Sequence, residues 1–160
     1  DETTDKRRAY LKAVNVYDET WTPTLVGYGV NRATGDRVSI RIAEMYLIAA
    51  EAGSYLPSEL NNAKKYLLDL QKKRLTPEGY AAKKTAIEAM NAEQLRAEVA
   101  DERARELLME GHRWMDLRRT TRPSITKTHN GSTYTLTEND SRYTLPFPQS
   151  AVNNNPHLND

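Results

Sequence analysis

Residues 91–119, NAEQLRAEVADERARELLMEGHRWMDLRR, mix apolar and charged side chains at helical spacing, and few folds accommodate such a stretch. Asn91 is a preferred N-cap, and Gln94 three residues later gives the capping-box spacing that satisfies two otherwise unpaired amides of a first turn. Steps of three and four from Leu95 pass through Val99, Arg103, Leu107, Glu110, Trp114 and Leu117. The spacing predicts one long amphipathic helix over 91–119, its apolar face broken by Arg103 and Glu110. A lone buried charge is costly, so both require partners. Arg103 can reach Glu106 or Glu110, and Arg113 and Asp116 lie on adjoining faces. The expected result is an internal polar network that fixes how the helix docks.

Part of this helix, ERARELLMEGHRWMDLRR, closely resembles the segment written ER-x-x-EL-x-x-EG-x-R-x-x-DL-x-R in the C-terminal part of the SusD/RagB nutrient-binding lipoproteins. SIRIAEMYLIAAEA, residues 39–52, looks like that family's RxAExYLxxAEA helix, and YTLPFPQSAVNNNP, residues 143–156, is similar to its closing segment. The departures are Phe147 where the family usually has Ile, and Ser150 with Ala151 where an acidic residue is usual. The resemblance implies a helical-repeat fold and a protein that binds oligosaccharides or other nutrients on the outer face of an outer membrane. It also implies a SusC-like TonB-dependent transporter as partner, and a lipid anchor and large N-terminal part that are absent from this chain.

Composition narrows the remaining classes. The chain has 160 residues, enough for one domain with a real core. Its 23 basic residues are offset by 22 acidic ones, which argues against an electrostatic nucleic-acid binder. There is no cysteine, so disulfides, thiolate metal sites and cysteine nucleophiles are excluded. No apolar run approaches the roughly 20 residues that cross a bilayer, and no signal peptide is expected within these residues. Because the first residue is Asp1 and not Met, the sequence is expected to be a processed chain or an excised piece.

Residues 1–38 read as an irregular lead-in with a charged, frayed start. Trp21, Pro23, Gly27, Tyr28 and Gly29 mark a loop with two large aromatics among turn formers. Trp21 and Tyr28 either cap the core beneath the loop or form a platform on which the C–H faces of sugar rings stack. The helical part is expected over 39–122. Arg41 and Glu44, three apart, can pair on a helix over 41–54, whose stripe is Ala43, Leu47, Ala50 and Ser54. Ser58 can cap the next helix, whose stripe is Leu60, Ala63, Leu67 and Leu70. This helical hairpin matches a tetratricopeptide unit in a degenerate way. Thr76 and Pro77 start a further helix before Asn91. Over 123–160, Asn130-Gly131 between two β-prone runs predicts a hairpin, followed by a proline-rich ordered tail.

A metal site is not expected. Glu102, Glu106 and Glu110 repeat every fourth residue near His112, but Glu110 and His112 are two apart and point about 200° away from each other on a helix. No nucleophile elbow, phosphate-binding glycine loop or HExxH is present, and each prominent acidic residue has a nearby basic partner. The sequence therefore predicts a mainly α domain of stacked helical hairpins with a small C-terminal β-hairpin and an irregular ordered tail. It predicts no catalysis and no cofactor. Trp21 and Tyr28 are its candidate ligand-binding residues, and Arg41, Glu44, Arg103, Glu106, Glu110, Arg113 and Asp116 its structural network. The alternative function is a helical-repeat module that binds another protein.

Overall fold

The apolar stripes of residues 41–106 form four helices: α1 (Ile42–Gly53), α2 (Leu60–Arg74), α3 (Pro77–Ala89) and α4 (Ala92–Glu106). The computed structural model describes residues 4–17, 20, 23–30, 41–155 and 157, with the backbone alone for 10–17 and 23–30. The chain divides into two compact units, Asp1–Glu110 and Gly111–Asp160. The fold is mainly helical, as the sequence predicts.

Local chemistry sets two of the four helix starts of the first unit. Asn91 accepts from the Gln94 amide at 2.9 Å while the Gln94 side chain accepts from the Asn91 amide at 3.0 Å, which completes the capping box. Thr76 caps α3 with Pro77 in its first turn. Ser58 does not cap α2; it lies in a 3-10 turn, Pro57–Glu59, that leads into it. Ala43, Leu47 and Ala50 pack with Ala63, Leu67 and Leu70, and Ile87, Leu95 and Val99 from α3 and α4 complete the core. A Cβ on Gly53 would stand 3.1 Å from that of Ala63, so the end of α1 approaches α2 more closely than two ordinary side chains do. On the opposite face of α1, Ile42, Met45 and Ile48 are exposed.

Two larger sequence readings also need correction. The lead-in over 1–38 is not irregular throughout, because β1 (Leu11–Tyr17) and β2 (Pro23–Val30) pair antiparallel from Leu11↔Val30 to Tyr17↔Pro23. Val14 and Val16 favour the extended backbone, and Pro23 stands at the first position of its strand, where a missing N–H is tolerated. The second correction concerns residues 91–119, which are two helices. In a continuous helix the Glu106 carbonyl would accept from residue 110. It accepts instead from Arg41 at 3.2 Å, and the Glu110 amide turns to Leu107. Met109 and Gly111 then take left-handed backbone angles, φ 62° and 84°, in the turn between this helix and the next.

The second unit contains α5 (His112–Arg119), β3 (Ile125–His129), β4 (Ser132–Leu136) and α6 (Gln149–Asn154). Asn130 and Gly131, both at positive φ, close the hairpin that the Asn-Gly pair predicts. Trp114 of α5 stacks on Tyr143, ring centroids 5.0 Å apart, and the buried Tyr143 donates its hydroxyl to the Pro123 carbonyl. The run after β4 is a 3-10 turn, Ser141–Tyr143, and the expected irregular tail includes the short helix α6. No helix among the described residues is long and apolar enough to cross a membrane.

Candidate functional site

The densest chemistry of the first unit lies where α4 runs out of apolar residues. Leu95 and Val99 face the core, and Glu102 and Glu106 continue the same stripe at helical spacing, so both carboxylates are buried. Each is met by arginines. Arg74, at the end of α2, grips Glu106 through Nε and a terminal nitrogen, both at 2.8 Å, a two-pronged contact that suits the planar guanidinium. Arg41 bonds to Glu106 and Glu110, and Arg7 lies 3.0 Å from Glu106 and 2.7 Å from Glu102. Glu102 also accepts from the buried Gln71 at 3.1 Å and from Arg105 at 2.9 Å. Glu98 extends the cluster outward to Arg105 and Lys83.

Burial by itself raises the pKa of Glu106, but the Arg74 hydrogen bonds and the charges of Arg74, Arg7 and Arg41 outweigh it and hold the carboxyl below its ordinary value. Asp5 behaves alike: burial raises it, and hydrogen bonds from the Arg7 side chain and amide outweigh that and hold it below its ordinary value. A general acid or base working near neutrality needs a pKa near that pH, and Glu106 is displaced in the opposite direction. The arrangement ties the helices together and moves Glu106 away from the range of a proton-transfer group. Among the described residues no group of three His, Cys, Asp or Glu is placed to hold a metal ion.

The depressed values have a stability consequence. An unfolded carboxyl takes up its proton at a higher pH than either folded one, so the stabilisation is complete above the unfolded pKa of about 4 and is lost as pH falls through the folded values. Thermal melts are expected to give a flat Tm above about pH 5.5 and a fall on acidification that is shallower in Glu106→Gln. A variant that falls as steeply as the parent would place the acid sensitivity elsewhere.

The structure rearranges the predicted pairings. Arg41 does not take Glu44; it reaches Glu106 and Glu110, whereas Glu44 accepts from Arg103 at 2.7 Å. Arg113 and Asp116 belong to the second unit, where Arg113 is exposed and Asp116 pairs with Arg119. Arg7, Arg74, Gln71 and Glu102 were missed as members of the cluster. Glu102 was legible, since it follows Leu95 and Val99 at helical spacing; Arg7 carries no local signal. Of the candidate ligand residues, Trp21 lies outside the described residues, and Tyr28 stands on β2 opposite Ala13.

A family model, that of the SusD family, matches residues 10–160. No curated protein matches the chain. The match takes in both units and all four helices around the arginine-carboxylate cluster. The chain therefore belongs to the SusD family, whose members are nutrient-binding proteins of the cell surface.

Proposed function

We propose that this chain serves to capture an oligosaccharide at the outer face of an outer membrane and to pass it, without chemistry, to a SusC-like TonB-dependent transporter. The observation that carries the reading is the family match over residues 10–160. The cluster around Glu106 supports it in a second way. Its carboxylates are committed to arginines, which suits a rigid scaffold that leaves recognition to loops. Trp21 and Tyr28 are the proposed stacking residues, because flat aromatic faces complement the C–H faces of sugars at little entropic cost. A lipid anchor outside this sequence belongs to the same proposal.

Tryptophan fluorescence tests it. The chain has two tryptophans, and Trp114 is occupied with Tyr143. A saturable emission change is expected with at least one member of an oligosaccharide panel, and its loss is expected in Trp21→Ala. A flat response across the panel, from a chain shown to be folded, would remove both the sugar and Trp21 from the proposal. One observation favours a second reading, a helical-repeat module for a protein partner: the outer face of α1 exposes Ile42, Met45 and Ile48. Sugar stacking is insensitive to salt, whereas a partner held through charged side chains would weaken with it.

A further inference from the structure

Residues 4–7 are tied to the helices at several points. The Thr76 amide donates to the Thr4 carbonyl at 2.8 Å, and Asp5 and Leu75 form an isolated antiparallel bridge. The Asp5 carboxylate takes Nε of Arg7 at 3.0 Å and one terminal nitrogen at 2.7 Å. This orients the other terminal nitrogen onto Glu102 and Glu106. The contact at Gly79 is of another kind. A Cβ there would stand 2.6 Å from the Thr4 Cβ and 3.2 Å from its Cγ2 and Oγ1. Gly79 lies in the first turn of α3, where alanine is the better helix former, so the missing side chain makes room for Thr4.

From these contacts we propose that residues 4–7 are a strap. Its seat is the α2–α3 turn, Gly79 and the Glu102–Glu106 face of α4, and its docking holds the start of the β1–β2 pair in place. The 3-10 turn Lys6–Tyr10 leads directly into β1 at Leu11. Residues 4–7 contribute no side chain to the buried cluster that joins α1 to α4, so the strap can leave its seat while that cluster stays packed. The result is a conformational device: release at Thr4 and Arg7 frees the hairpin without unfolding the helices. It does not depend on the nutrient-binding reading.

Amide exchange on the whole 160-residue chain tests the strap, with the Thr76 amide as its direct reporter. In Gly79→Ala the Thr76 amide and those of β1 and β2 are expected to exchange about tenfold faster, with the amides of Leu67 and Val99 unchanged. Thr4→Gly removes all three atoms the new methyl meets, so adding it to Gly79→Ala should restore protection at Thr76. The proposal is overturned by unchanged exchange in Gly79→Ala, by acceleration spread evenly through α2 and α4, by release at Thr76 without release of β1 and β2, or by failure of the double variant to restore protection.

Discussion

Replacing Glu106 by alanine is expected to lower the unfolding free energy by about 3 kcal/mol, the lower part of the range for breaking a buried ion pair. The Glu106 side chain is 1 % exposed and meets Arg7, Arg41 and Arg74, which are 16 %, 29 % and 28 % exposed. Removing the carboxylate leaves three guanidinium groups crowded together without their common counter-charge. Because each retains some access to water, the loss stays below the upper end of that range. Urea unfolding followed by far-ultraviolet circular dichroism measures it through the midpoint and slope. A loss under about 1 kcal/mol, the scale of exposed ion pairs, would show that solvent screens the cluster and that apolar packing alone positions α4.

The second large effect separates the two faces of α1. Leu47 is fully buried between α1 and α2, and Leu47→Ala is expected to cost about 3 kcal/mol through lost burial and the cavity left behind. Ile42 is on the same helix but 78 % exposed, and Ile42→Ala should fall within about 0.5 kcal/mol of the parent. The same unfolding experiment on both variants decides the matter, since the deletions are chemically similar and only their surroundings differ. Equal losses would mean that the outer face of α1 is covered in solution, as by self-association.

Sequence reading recovered features whose causes lie within a few residues. The capping box of Asn91 and Gln94, the stripe of Ala43, Leu47 and Ala50, and the left-handed turn at Asn130 and Gly131 are local chemistry. Features decided at long range were not legible. Arg7 and Glu106 are 99 positions apart, and Arg41 and Glu106 are 65 apart, so the end of α4 is set by a residue that no window around α4 contains. The β1–β2 pair was missed for another reason: Pro23, Gly27 and Gly29 signal a turn, yet Gly27 and Gly29 sit opposite Val14 and Lys12 in a regular register, and Pro23 pairs with Tyr17 across an irregularity at the strand end. The loop assigned to Trp21 and Tyr28 was drawn too wide for the same reason, since Tyr28 is within β2.

Among the described residues, the cations on Glu102 and Glu106 are Arg7, Arg41, Arg74 and Arg105, and none is a lysine. Reagents that acylate or alkylate primary amines leave guanidinium groups intact. Lys65, Lys72, Lys73 and Lys84 are exposed, and the ion pair of Lys83 is with Glu98, at the edge of the cluster. The chain can therefore be tethered to a sensor surface or dye-labelled through these four exposed lysines without altering the charges on Glu102 and Glu106.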